Sequence, residues 1–429
     1  MRLSIEKLVY GGDGLARLPA DENGRGKAAF VPFVLEGETV EATLVENKPG
    51  FARARLDEVI ERSANRIEAP CPYYGRCGGC HYQHTDYRHQ LEIKAAVLKE
   101  NLRRIAKVEL ETEPIVHASP EWNYRNRARL RVRTQPDFAL GYYRFASHEL
   151  LPVEQCPISS ALINRGISVA WELGRAGKIP QEIQEIEFFA NAEDDQLLLL
   201  LYCAPPLSTE AAQNLAEDLR GTASAIGALV IAIGANESAE LKPMASAGEK
   251  ALNYKTKDAA YRVSGGAFFQ VNRFLTDQLV EIVTANRSGN AALDLYAGVG
   301  LFSSVLARSF AQVTAVESSP TAYADLSYNS PANVKAVHAT TDRFLQQRAG
   351  KVRPDLIVLD PPRGGLGGMV VRSLAGLEAA EITYVSCDPA TLARDLAGLL
   401  AAGYHIRQAH VVDLFPQTYH VESVVRLSR

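Results

Sequence analysis

The sequence predicts an α/β protein: a Rossmann-like C-terminal domain, a small N-terminal β-barrel of the OB type, and a mixed α+β domain between them. Three observations carry this reading. From about Phe274, short apolar runs alternate with helical stretches, the sequence form of a parallel sheet covered by helices. The first stretch of chain instead holds short, evenly spaced strands broken by Gly and Asp. Clustered cysteines separate the two. The expected units are 1–60, 61–262 and 263–429, with a helix over 86–106 placed to pack on the last of them.

A chain of 429 residues, 47% apolar and 22% charged, suits two or three globular domains and excludes disordered and fibrous classes. Charges within Met1–Lys7 stand where a signal peptide needs an apolar core. The longest apolar run, Leu197–Ala204, is too short to cross a bilayer. The expectation is a soluble cytoplasmic protein with no membrane association and no obligate protein partner. Net charge is −4, yet between Arg62 and Arg133 there are 14 Lys/Arg against 8 Asp/Glu, a local excess able to meet phosphate.

Taken in order, Leu3–Val9, Lys27–Val34 and Thr39–Glu46 read as strands, with Gly11-Gly12-Asp13-Gly14 after the first. Such barrels bind nucleic acid or serve as plain scaffolds, and this segment supports both readings. Strand-like runs follow at Arg125–Thr134, Ile186–Ala190 and Gln196–Cys203, with a helical pattern at Thr209–Leu219. The C-terminal strands are Ala291–Tyr296, Val313–Glu317, Val334–His338, Leu356–Asp360 and Thr383–Ser386; Leu301–Phe310 and Ala390–Ala402 are helical.

Asp294-Leu295-Tyr296-Ala297-Gly298-Val299-Gly300 follows a strand and opens a helix, where Gly298 and Gly300 permit a tight turn and close approach of a ligand. Ser303 replaces the third glycine of a dinucleotide fingerprint, and Asp294 sets a carboxylate before the loop. That suits a phosphate-free cofactor with ammonium and hydroxyl groups. Glu317, 23 positions after Asp294, ends the next strand and can accept both ribose hydroxyls. Together these favour S-adenosylmethionine. Asp342, after the third strand, either approaches the adenine or caps the Arg343–Arg348 helix.

Two motifs fall at the carboxyl ends of strands, where ligands of open α/β sheets sit: Asp360-Pro361-Pro362-Arg363 and Ser386-Cys387-Asp388-Pro389. Cys387 stands where the N–H groups of a helix starting near Pro389 stabilise a thiolate. A nucleophilic cysteine beside a methyl donor has a chemical purpose. Thiolate addition at C6 of uracil makes C5 an enolate carbon able to attack a methyl group, and a base must then remove the C5 proton. The Phe415–Glu422 segment supplies two candidates, Glu422 and His420.

Cys71-x5-Cys77-x2-Cys80 and the distant Cys156, in Gln155-Cys156-Pro157, give four thiolates for an iron–sulfur cluster or zinc. The three-plus-one spacing leans toward iron–sulfur. Cys203, within an apolar run, reads as core. Arg125, Arg127, Arg129, Arg131 and Arg133 alternate along one strand, lining one face with like charge. RNA phosphate is the natural counter-ion, with Trp122 or Tyr124 to stack on a base. Pairing with local carboxylates is expected for one or two of the five.

These motifs, with Phe268-Phe269-Gln270-Val271-Asn272, resemble the RNA 5-methyluridine (uracil-C5) methyltransferase family, in its branch with an iron–sulfur cluster and a TRAM domain. The resemblance spans nearly the whole chain. It implies a class I methyltransferase domain, a TRAM-like barrel, S-adenosylmethionine and a 4Fe–4S cluster. It also implies Cys387 as nucleophile and Glu422 as base, with Gln270, Tyr296, Glu317, Asp342 and Asp360 lining the cofactor and uracil pockets. The partner is RNA, with ribosomal favoured over transfer RNA. Two positions depart from the family pattern. Asp388 replaces Asn and could raise the cysteine pKa, and Leu301 replaces Asn at a cofactor contact. Rival readings are an RNA cytosine-5 methyltransferase and a cluster-bearing RNA-binding protein without activity. An amino-methyltransferase motif at Asp360-Pro361-Pro362 is disfavoured by Arg363, which stands where an aromatic residue is needed.

Overall fold

The computed structural model describes residues 1–19, 26–233, 243–348 and 353–429. The N-terminal strands are β1 (Arg2–Ser4), β2 (Lys7–Leu8), β3 (Asp13–Arg17), β4 (Ala28–Pro32), β5 (Thr39–Asn47) and β6 (Phe51–Glu61). They form one sheet in the order β1-β5-β6-β4-β3-β2 around Leu3, Val31, Val40, Ala42 and Ala52. The strand expected over Leu3–Val9 is two strands, because the chain changes partner midway. The Ile5 amide donates to Glu38 O and the Glu6 amide to Leu15 O.

Asp86 caps α1 (Tyr87–Asn101), accepting from the His89 amide at 3.0 Å. Its buried residues Gln90, Ile93, Lys94, Val97 and Leu98 repeat at helical spacing. The helix runs on through a wide π turn, Leu102–Ala106, so the expected 86–106 helix forms with an irregular last turn.

A short strand, β7 (Ile115–His117), departs to a later sheet. The central sheet comprises β8 (Arg127–Arg133), β9 (Ala139–Tyr143), β10 (Leu150–Pro152), β11 (Ile183–Ala190), β12 (Leu197–Cys203), β13 (Gly227–Ala232) and β14 (Pro243–Gly248), ordered β10-β9-β8-β11-β12-β13-β14. Helices α2 (Ala161–Arg175) and α3 (Thr209–Thr222) cover one face. The unbroken apolar run in β12 follows from burial on both sides. Leu197, Leu199 and Leu201 face the helices, while Leu198, Leu200 and Tyr202 pack toward the C-terminal sheet.

A hairpin, β15 (Ala251–Lys255) and β16 (Ala260–Ser264), and α4 (Thr276–Thr284) lead into the C-terminal sheet. Its strands β17 (Gly289–Leu295), β18 (Phe310–Glu317), β19 (Val334–His338), β20 (Leu356–Leu359) and β21 (Glu381–Ser386) are parallel. Helices α5 (Ser303–Leu306), α6 (Pro320–Asn329), α7 (Thr341–Arg348), α8 (Gly367–Leu377) and α9 (Pro389–Ala401) intervene; α5 is far shorter than the expected Leu301–Phe310 because β18 already begins at Phe310. The last strands, β22 (His405–Val412) and β23 (Glu422–Ser428), complete the order β19-β18-β17-β20-β21-β23-β22-β7. β23 lies antiparallel between β21 and β22. No helix among the described residues is long and apolar enough to cross a membrane.

Helix α1 packs on this sheet, and its Ile93, Val97 and Leu98 share a core with Leu293, Ile357 and Leu396. In the same interface the Lys94 ammonium is fully buried. It donates to Asp413 Oδ1 at 2.6 Å and to the Phe415 carbonyl at 2.9 Å. Removing one partner of such a pair strands the other charge in a low dielectric, so Lys94→Ala should cost about 3–5 kcal/mol of unfolding free energy. The double change Lys94→Met with Asp413→Leu should recover most of that loss. Urea unfolding of the three chains checks it, and an unaltered midpoint in Lys94→Ala would show that the pair contributes nothing.

Candidate active site

At the β17 end the chain enters the left-handed region three times in five residues, at Tyr296 (φ 64°), Gly298 (56°) and Gly300 (94°). A side chain added at Gly298 would meet open space, so the backbone there is accessible to a ligand. Glu317 closes the loop, taking the Gly298 amide on Oε2 at 2.9 Å and the Ser318 and Ser319 amides on Oε1 at 2.8 and 2.6 Å. Asp294 lies fully buried beneath. Its Oδ2 accepts the Ser303 hydroxyl, while Oδ1 has no partner. The serine that replaces a dinucleotide-type glycine therefore holds this carboxylate. Asp342 sits in the first turn of α7, inside the helix rather than ahead of it, and is hydrogen-bonded to Thr340; both the Thr341 hydroxyl and the Asp342 charge bear on Tyr296.

Across the sheet, Asp360 ends β20 and Cys387 follows β21. Glu422 begins β23, directly beside them because Ser386 pairs with Ser423 and Val412 with Glu422. Gln270 Nε2 reaches Asp360 Oδ2 at 3.5 Å. Burial, and then the charge of Asp360, push the Glu422 carboxyl well above the usual range. The Cys387 thiol is pushed up to about 11 by burial and by Glu422, with the Arg363 guanidinium opposing the shift. The helix end does not supply the thiolate stabilisation expected of it. Asp388 takes those amides itself, accepting from Ala390 and Thr391 at 3.0 and 2.8 Å. His420 lies against Arg363 Nη2 at 3.3 Å. Burial and that guanidinium push its pKa down to about 3.

The four cysteines come together in a cavity of about 380 Å³. Cys77 and Cys80 lie on a loop tied to β9 by Gly78 N–Tyr143 O at 3.0 Å, and Cys156 is fixed by Asn164 on α2. Burial raises the Cys71, Cys77 and Cys80 thiols, Cys77 to about 11, and the charge of Cys156 adds to each. Among the described residues no group of three or more His, Cys, Asp or Glu side chains is set to hold a single metal ion. Cys203 is core, as expected.

The arginine strand is more fully paired than its alternation suggests. Arg127 bonds Glu187 at 2.6 Å, while Arg129 and Arg131 share Glu185 on the neighbouring β11. Their guanidinium groups also lie over Phe189, Tyr202 and Tyr143. Three of the five, not one or two, thus have carboxylate partners; Arg125 and Arg133 have none among the described residues. Tyr124 is fully buried, its hydroxyl donating to Pro416 O at 3.0 Å, and so has no face to offer a base.

Sequence reasoning missed Gln417. Its φ of 68° is left-handed. Its carbonyl accepts the His81 and Tyr82 amides at 2.8 and 3.0 Å, Gln90 brackets it from α1, and Glu121 takes its side-chain amide. The cysteine loop and the segment leading to Glu422 are therefore joined by the His81 and Tyr419 rings, with centroids 4.6 Å apart, and by the hydrogen bonds of Gln417. No local pattern marks it, since every partner is distant in sequence.

The tRNA (uracil-5-)-methyltransferase family model matches residues 86–429, and the TRAM domain model matches residues 1–56. The chain belongs to the tRNA (uracil-5-)-methyltransferase family. Among its relatives, an uncharacterized RNA methyltransferase of Aquifex aeolicus is 34% identical over 100% of this chain and 98% of its own. The 23S rRNA (uracil(1939)-C(5))-methyltransferase RlmD of Pseudomonas putida is 32% identical over 99% of this chain and 92% of its own. A crystal structure of Pyrococcus abyssi tRNA (uracil-54, C5)-methyltransferase with S-adenosyl-L-homocysteine superimposes with a TM-score of 0.78 at 23% identity, covering 99% of both chains, and shares the fold. The chain is an S-adenosylmethionine-dependent RNA (uracil-C5) methyltransferase with an N-terminal TRAM domain.

The buried carboxylates set a pH signature for the family member without ligand. Burial pushes Asp294 from 3.8 up to about 7. Between those values the unfolded chain releases a proton that the fold retains, so the group subtracts stability progressively as pH rises and fully above 7. Asp294→Asn, which keeps an acceptor for Ser303, should stabilise the ligand-free chain by about 2–4 kcal/mol at pH 8 and by almost nothing near pH 4. Urea midpoints at both pH values decide this; equal effects at the two would remove the titration argument.

Proposed function

We propose that Cys387 is the nucleophile and Glu422 the base of a covalent uracil C5 methylation. The observation that carries this reading is their convergence with Asp360 and Arg363 where β21 and β23 run side by side. Cys387 adds to C6 of the uracil, forming a C–S bond and moving the ring electrons so that C5 becomes nucleophilic. Arg363 opposes the charge of the carboxylates and so favours the thiolate. Addition sends the thiol proton to solvent and passes the sulfur's negative charge to the ring; that charge is discharged when C5 gains the methyl group, and Glu422 can then give its own proton to solvent and act as a carboxylate. Glu422 then takes the C5 proton as the C–S bond breaks and the thiolate leaves.

S-adenosylmethionine supplies the electrophilic methyl group when bound. The site fits it in two respects: an unpartnered buried carboxylate oxygen on Asp294, and an open backbone at Gly298. Gly298, Gly300, Tyr296 and Glu317 would hold it, with Asp342 beside the adenine; Gln270 and Asp360 lie between cofactor and base. Ribosomal RNA is favoured as substrate by the relative from Pseudomonas putida, which is similar over nearly its full length. Arg125, Arg129, Arg131 and Arg133 would meet its phosphates, whereas Arg127 is the most occupied of the five.

Cys71, Cys77, Cys80 and Cys156 would hold a 4Fe–4S cluster. Four thiolates on one zinc ion would stand about 3.8 Å apart, the edge of a tetrahedron of 2.3 Å bonds. A cube of four irons spreads its thiolates further and needs all four to face one space, and the four cysteines line one cavity.

Glu422→Gln should permit addition and methyl transfer but stall release, since a general base contributes about 10²–10⁴-fold in rate. Denaturing gels should then show a methylated RNA–protein adduct that is scarce in the wild-type chain. Normal turnover without adduct would make Glu422 structural and turn attention to His420. Anaerobically purified chain should be brown and contain iron with acid-labile sulfide, and serine at any of the four cysteines should bleach it. Stoichiometric zinc without iron would overturn the cluster.

A further inference from the structure

The tip of the β2–β3 hairpin in the TRAM domain reaches the catalytic centre. The chain turns there through Gly11 (φ 109°) and Gly12 (φ 91°), closed by Gly12 N–Val9 O at 3.1 Å and Val9 N–Asp13 O at 3.0 Å. It is wedged between two loops. A Cβ at Gly12 would lie 3.2 Å from His81 Cβ in the cysteine loop and 3.3 Å from Tyr419 Cβ in the segment before Glu422. Close packing and a left-handed φ both require glycine at this point.

Tyr10, at the same tip, is half-buried, its ring edge-on to Tyr419 with centroids 5.6 Å apart. Its hydroxyl donates to the carbonyl of Cys387 itself at 3.2 Å. The charges of Asp388, Arg363 and Cys387 all bear on that phenol, placing it inside the catalytic group rather than at the rim of a domain contact. The accepting carbonyl belongs to the residue that bears the thiol, at the turn where β21 gives way to α9, so holding it restrains the Cys387 backbone.

We infer that Tyr10 is a positioning residue for the nucleophile: the TRAM domain completes the active site by holding the Cys387 peptide in the orientation that aims the thiol at uracil C6. The inference rests on Cys387 being the nucleophile. Tyr10 forms no bond to substrate and transfers no proton. Its hydroxyl fixes a backbone group, and its ring fixes Tyr419.

The experiment uses the full chain and a 23S rRNA transcript carrying 5-fluorouridine in place of uridine, which captures the enzyme because fluorine cannot leave as a proton does. Wild type, Tyr10→Phe, Tyr10→Ala and Cys387→Ala are compared for capture rate at saturating RNA and for RNA affinity. Loss of one neutral hydrogen bond should slow capture in Tyr10→Phe about five- to tenfold. RNA affinity should stay within about twofold, because no phosphate contact is lost. A Tyr10→Phe variant that captures at the wild-type rate, whether or not Tyr10→Ala is impaired, would reduce Tyr10 to packing and overturn the inference. Weaker RNA binding with an unchanged saturated rate would overturn it equally. Capture by Cys387→Ala would instead remove the nucleophile assignment, and the role of Tyr10 with it.

Discussion

The segment from Asp413 to Val421 is where the molecule is tied together, and the tie is polar. It carries no helix or strand of its own, and beyond a local turn at Phe415–Thr418 its backbone carbonyls are met from distant chain: Lys94 on α1, Tyr124 before β8, the cysteine loop at His81 and Tyr82, and Asn272 before α4. Buried backbone groups must find partners, and a loop with few of its own must recruit the rest from distant chain. That requirement draws the cysteine-bearing region and the C-terminal sheet into one body. Ion pairs of this kind contribute little net stability against an apolar alternative but specify a unique arrangement. The arrangement is what the chemistry needs, since this segment delivers Glu422.

The sheet topology then converts two distant motifs into one site. A parallel strand adjacent to β21 would have put its own carboxyl end beside Cys387 and its first residue at the far edge. β23 runs the other way, so its first residue, Glu422, arrives where β21 finishes. The cost is electrostatic. Asp294, Asp360 and Glu422 are carboxyls each raised first by burial and then by a neighbouring carboxylate's charge. Native proteins break packing rules of this sort at functional sites and offset them elsewhere, here in the extensive apolar cores on both faces of the sheet.

Much of this was legible in the sequence. Short apolar runs ending in Asp, Gly, Pro or Cys located the C-terminal strands and the motifs at their ends, because a buried parallel strand must be apolar and a binding loop must not be. The antiparallel insertion of β23 was not legible, since strand order depends on pairing between residues far apart in the chain. The arginine strand shows what one segment read in isolation conceals. Glu185 and Glu187 alternate along β11 just as the arginines do along β8, and only the pairing of the two strands brings the charges together. Tyr124 and Asp388 failed for a related reason. Each has a local appearance, an aromatic beside arginines and an acid beside a thiol, that its hydrogen bonds turn to structural use.

The buried carboxyls also act as a gate that sorts by charge and depth. Arg363 and Arg125 both bear on His420, toward the mouth of the site, while acids occupy its floor. A polyanion is drawn to the basic outer zone, yet any phosphate pushed deeper meets carboxyls that already resist further negative charge. The uncharged base of a nucleotide meets no such opposition. Selection of a uracil over the phosphates of its own strand therefore begins before any hydrogen bond reads its edge.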